Sequence, residues 1–166
     1  MSQSTTSLNI KAVFPGVVAQ DRLYDKMTGF AALANNLTHG APAFFRNFNN
    51  RTVVATGATV TGTTRATRTT FCDGIVMYES KTGGSPSKVG DEVSILRKGV
   101  IWVLTSGAVT AGEAVYLDLS DSGNLVTGGT KATGDITFYG LNFVSSTAAA
   151  GLALLEVNFP NHYVTT

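Results

Sequence analysis

From Phe71 onward, short apolar runs alternate with clusters of Gly, Ser, Asp and Thr. That is the punctuation of an all-β chain. FCDGIVMYE predicts a strand in which Gly74 marks a bulge. KTGGSPSKVG is a loop. EVSIL and VIWVLT predict two strands joined by a tight turn at RKG, where Gly99 is free to take positive φ. AVTAG turns the chain again, and AVYLDLS is a strand with Val115, Leu117 and Leu119 on one face. SDSGN is a turn, LV a brief strand and TGGTKATGD a loop; ITFYGLNFV and GLALLEVNF close the series. Within it, VGDEVSI (89–95) returns as AGEAVYL (111–117). In each copy Gly permits a turn, the acid keeps the corner wet, and Val and the aliphatic two residues on fill one face. The repeat is a structural device.

The first third reads differently. Residues 1–10 are polar and expected to be mobile or ordered by a partner. Residues 11–50 are irregular, and Leu23, Met27 and Phe30 at i, i+4, i+7 predict a short helix. In FFRNF an extended backbone puts Phe44 and Phe48 on one face and Phe45 on the other. Residues 52–70, TVVATGATVTGTTRATRTT, fit either an exposed strand or a low-complexity linker. The expectation is an all-β fold: a single β-sandwich or partly closed β-barrel over residues 51–166, with an irregular N-terminal arm over 1–50.

The arm is aromatic, and burying a Phe ring is worth about 1.5–3 kcal/mol. A neighbouring subunit or surface is the expected cover. Arg22, Arg46 and Arg51 suit specific pairing with carboxylates there. The expected interface residues are therefore Phe14, Arg22, Phe44, Phe45, Arg46, Phe48 and Arg51.

Composition points the same way. The chain has 166 residues, enough for one real core, of which 43% are hydrophobic and only 14% charged. Ordinary globular proteins carry about 25% charged residues, so the polar surface here rests on Thr, Ser, Asn and Gly and resists association poorly. The net charge of +1 hides an asymmetry. Residues 1–70 hold seven basic against two acidic groups, a surplus of +5; residues 71–166 hold five against nine, a deficit of −4. Opposite halves suit head-to-tail contact between copies, or a basic arm on an acidic support, although scattered charges can also be merely solvated. The basic residues are spread out and lack an aromatic stacking series, which argues against nucleic acid as partner.

The search for chemistry excludes more than it finds. A single cysteine, Cys72, rules out an intrachain disulfide and a Cys-based zinc site; its apolar run makes it a small buried hydrophobe. KTGGSPSK contains KTG and S-x-x-K, fragments of the serine β-lactamase signature, but both share one loop with Pro86 between Ser85 and Lys88. That chemistry needs them on separate elements. His39 and His162, the two histidines, sit in loop contexts without a nucleophile elbow and read as exposed. The acids lie at turns without calcium-loop spacing. No catalytic, metal or cofactor site is expected. Trp102, flanked by aliphatics, is core or a contact. The start lacks a signal-peptide pattern and no run approaches the roughly 20 apolar residues of a membrane span. The sequons at Asn36 and Asn50 are then accidental, and synthesis in the cytoplasm is expected.

AVFPGVVAQ, FCDGIVMYE, GDEVSILRKGVIWVL and AGEAVYLDLSDSGNL, in that order, resemble the decoration or cement proteins of tailed-bacteriophage capsids. The resemblance covers roughly residues 12–125. HGAPAFFRNFNN departs from it, being more aromatic and Asn-rich, and the last strands carry no family mark. The resemblance implies a small β-sandwich or β-tulip on the outside of an icosahedral head. It implies the major capsid protein and neighbouring copies as partners, as a dimer or trimer at capsid symmetry axes, clamping capsomers. Another β-rich virion component, in the tail or binding a receptor or glycan, is the alternative; Tyr116, Tyr139 and Trp102 would then be its contacts.

Overall fold

The computed structural model describes residues 14–19, 24–31, 37–47, 52–55, 74–78, 88–118, 124–127, 136–158 and 164–165. They form ten strands: β1 (Asp25–Ala31), β2 (Pro42–Asn47), β3 (Thr52–Ala55), β4 (Gly74–Val76), β5 (Glu92–Thr105), β6 (Ala114–Asp118), β7 (Asn124–Thr127), β8 (Ile136–Phe143), β9 (Gly151–Asn158) and β10 (Val164–Thr165). The fold is all-β, one curled and mainly antiparallel sheet of half-barrel, sandwich-like form.

Two circuits of pairing share β5. The first runs β1–β3–β2–β4–β5 and returns to β1. The second runs β5–β7–β6–β8–β9 and returns to β5, its β5–β7 step resting on one parallel pair, Thr105↔Leu125. The N-terminal half of β5 (92–98) serves the first ring, and its C-terminal half (98–105) the second. A strand buried on both sides must be apolar at successive positions, and Val93, Ile95 and Leu96 are all buried.

RKG is therefore not a turn between two strands: β5 runs through it unbroken for 14 residues. What the sequence marks there is a register shift, opposite Asp25/Lys26 of β1. An extra residue in one strand reverses which face the following side chains take. Before the shift Val93 and Ile95 pack with Ala31, Leu37, Ala43 and Val76 in one core. Leu96 packs on the other side with Ile75, Ile101, Val103, Phe143 and Leu155. After it, odd-numbered residues face that second core. Gly99 takes φ 137°, and a Cβ there would lie 2.9 Å from Tyr24 Cβ. No residue with a side chain fits the bend.

The helix expected around Leu23–Phe30 is instead strand β1. Thr28 and Gly29 weaken a helix, and the true period is two: Met27, Gly29 and Ala31 turn inward while Phe30 is exposed. The described parts of residues 1–50 build onto this chain's own sheet. β1 pairs with β5 and β3, and β2 with β3 and β4. Leu23, Cys72, Leu119, His162 and residues 56–70 lie outside the described residues.

Both glycine turns of the repeated heptad form as the sequence promises. Gly90 and Gly112 each take φ 85° in open space, the φ required at the third position of a type II turn. Asp91 N donates to Lys88 O and Glu113 N to Thr110 O, closing the two turns. Asp91 adds a side-chain clasp, its Oδ2 accepting from Lys88 N at 2.8 Å.

Candidate interaction surface

Two further turns of the same build, Phe14–Val17 and Thr38–Ala41, meet beside β4. Val17 N donates to Phe14 O and Ala41 N to Thr38 O, with Gly16 and Gly40 at φ 84° and 80°. They pack back to back: a Cβ on Gly40 would come within 3.0 Å of Pro15 Cβ, and one on Gly16 within 2.9 Å of His39 Cβ. Main-chain bonds tie both turns to the sheet. Gly16 N donates to Trp102 O (2.6 Å), Tyr78 N to Gly16 O (2.7 Å) and Gly40 N to Val76 O (2.8 Å). Trp102 N donates to Val17 O and Ala19 N to Val100 O, so residues 16–19 lie along β5 as an extra partner.

Aromatic side chains cap this node. Phe14 is 53% exposed and stacks on Tyr78, ring centroids 5.8 Å apart at 16°; His39 meets Tyr78 edge-on at 5.0 Å. Beside them a groove of about 530 Å³ is lined by Gly16–Ala19, Tyr24, Met77 and Tyr78. Ring stacking and main-chain bonds hold this site together. Among the described residues no cluster of His, Cys, Asp or Glu could hold a metal ion.

Of the seven expected interface residues, Phe14 is placed as an exposed ring. Phe44, Phe45 and Arg46 follow one another on β2, whose Pro42–Ala43 end pairs with β4, so they lead away from Phe14 along the strand. Arg22, Phe48 and Arg51 lie outside the described residues. Tyr78 was not singled out in the sequence, and His39, expected as exposed, is half-buried. For His39 the available signal was a second glycine turn, T-H-G-A after F-P-G-V; nothing local marks Tyr78. Trp102 is neither full core nor free: it is half-buried on β5.

The family described as "Structural cement protein (E217 gp24/Pam3 gp6)" matches this chain over residues 2–158. The chain belongs to the structural cement protein family. The resemblance carried by the Pro-Gly arm, the G-I-V strand and the two G-acid strands is thereby established, and the match extends to the strands that carried no recognisable mark. A solved structure, "The capsid of Myoviridae Phage XM1", is similar at 18% identity and a TM-score of 0.67, over 96% of this chain and 99% of that one. The head fiber gp8.5 N base of bacteriophage phi29 aligns at 12% identity and a TM-score of 0.45, over 82% of this chain and 95% of that one. No curated protein matches. This cement-family chain is a structural, virion-associated phage protein.

Proposed function

We propose that the protein binds the outer surface of a tailed-phage icosahedral head and stabilises contacts between capsomers of the major capsid protein. The observation that carries this reading is the cement-family match across residues 2–158. The fold supports it. Among the described strands every one but β10 has a neighbour on both edges, so partners meet faces, turns and the arm rather than open strand edges. A surface poor in charge suits a permanent protein partner better than free solution. Copies meet one another on the head, at its symmetry axes, and the aromatic node at Phe14 is one of the surfaces they offer. Phe44, Phe45, Arg46 and the flanking Arg22, Phe48 and Arg51 belong to the same reading.

The test is reconstitution. Heads of the encoding phage, assembled without this chain, are mixed with the purified protein, then imaged by cryo-electron microscopy and heated. The reading expects density bridging capsomers on the outer surface and a higher temperature of head rupture. Protein found on tails alone, or heads no more heat-resistant with it than without, would overturn it in favour of another virion role.

A further inference from the structure

Beyond the register shift, β5 turns an apolar side outward that continues the first ring's core past its cover. Val100 is 4% exposed, Trp102 is half-buried, and Leu104 is 49% exposed. β9 lies alongside with the same character: Trp102 pairs with Leu154 and Leu104 with Leu152, while Ala153 and Leu155 face inward. Val144, just beyond β8, donates its N–H to Leu154 O and is 40% exposed. The loop that follows is held in place, Thr147 exchanging two main-chain bonds with Val109 and Ser145 Oγ accepting from Leu154 N. The face therefore needs no rearrangement to receive a partner.

Its charge is as telling as its shape. Residues 99–112 and 140–155, around the Trp102–Leu154 and Leu104–Leu152 pairs, contain no Asp, Glu, Lys, Arg or His; the nearest charge on this side of β9 is the exposed Glu156, opposite Val100. A partner surface placed against those two pairs must be apolar too, because a polar group desolvated there finds no partner. The face is also small. Three strands about 4.8 Å apart and some four residues at about 3.4 Å each cover on the order of 200 Å², far below the roughly 800 Å² per partner of a stable interface. A second copy seated on this face alone would not stay bound. A large surface that also engages the protein elsewhere would hold it, because linked contacts multiply.

Resting on the head-binding reading, we propose that the outward face of β5, β9 and β8 (Trp102, Leu104, Val144, Leu152 and Leu154) seats the protein on an uncharged, apolar surface of the major capsid protein. Leu104→Asp and Val144→Asp test this, since both side chains are exposed and the fold should tolerate the change; Val89→Asp, in the turn at the opposite end of β5, is the control. Binding is read by co-sedimentation with heads assembled without the protein, self-association by analytical ultracentrifugation, and folding by circular dichroism. Leu104→Asp and Val144→Asp should each bind about tenfold or more weakly, with melting unchanged, while Val89→Asp binds as wild type. The emission of Trp102, the one tryptophan, should shift to the blue when heads are added. Wild type that fails to bind heads overturns the proposed function and this face with it. Wild type that binds, with both face variants binding equally well, overturns the face alone. So does a wild-type dimer in free solution that Leu104→Asp splits without loss of head binding.

Discussion

Replacing Gly16 by Ala should loosen the node that fastens the arm to the sheet, and the cost can be divided into parts. An L-residue at φ 84° costs about 1–2 kcal/mol by its backbone conformation. The new Cβ would also lie 2.6 Å from Tyr78 N and 3.0 Å from Val76 O, main-chain atoms that cannot swing aside. Relief requires residues 14–19 to move off, and that weakens the bonds from Gly16 N to Trp102 O and from Tyr78 N to Gly16 O. Each is worth about 1 kcal/mol. The total is about 3–4 kcal/mol, which in a chain of this size lowers the melting midpoint by roughly 6–15 °C. Gly90→Ala supplies the reference, because Gly90 has φ 85° and nothing within 4 Å of its missing Cβ. It should cost about 1–2 kcal/mol and no more. Urea unfolding of both variants separates strain from clash, and amide exchange at Tyr78 and Trp102 should quicken in Gly16→Ala alone. If the two substitutions cost the same, the close packing of the node contributes nothing and the reasoning fails.

Other perturbations probe other links. Phe143→Ala, emptying the largest side chain in the second ring's core, should cost about 3–5 kcal/mol by chemical denaturation; a cost under about 1 kcal/mol would mean that core is loosely packed. Thr105 is buried, and its hydroxyl can donate to Gly107 O (3.0 Å) or Gly151 O (3.1 Å). Thr105→Val keeps the shape and removes the donor, so it should cost about 1–2 kcal/mol in the same assay. Deleting residues 1–19 removes the segment that bonds β5 at Val100 and Trp102. Its melting midpoint should fall, whereas an arm ordered by a partner alone would leave the isolated protein unchanged.

How far the sequence disclosed all this depended on the range of the forces involved. Strands from Glu92 onward were legible because their period, turns and glycines are local. The turns that open the 89–95 and 111–117 copies formed as read, since a turn needing positive φ at Gly90 or Gly112 is decided within four residues. RKG was misread because a tight turn and a register shift use the same local signal, a glycine beside charged residues. Only the partners distinguish them: β5 stays paired straight through the shift, with β1 up to Lys98 and with β9 from Lys98 on. The β1 strand was misread for a related reason. Its Met27, Gly29 and Ala31 spacing is too faint to outweigh Leu23, Met27 and Phe30, and pairing with β5 decides the matter. The node at Phe14 was half legible. Phe14 was expected at an interface and is an exposed ring, but its stacking partner Tyr78 is distant in sequence, and no local pattern links them.

The shared strand has a consequence for what a cement protein must withstand. In the proposed role, a shell under internal pressure would load whatever bridges its capsomers, and a sheet with open edges yields by peeling one strand at a time. Here each half of β5 is flanked on both edges: by β1 and β4 in the first ring, by β9 and residues 16–19 in the second. Pulling β5 out therefore breaks pairings with β1, β4, β9 and the arm segment together. The bulge at Arg97–Lys98 lets one strand join both cores without a connecting loop, which would be the compliant point in such a bridge. Among the described residues the same closure leaves β10 alone with a single neighbour, and so limits the edges through which charge-poor β-proteins aggregate.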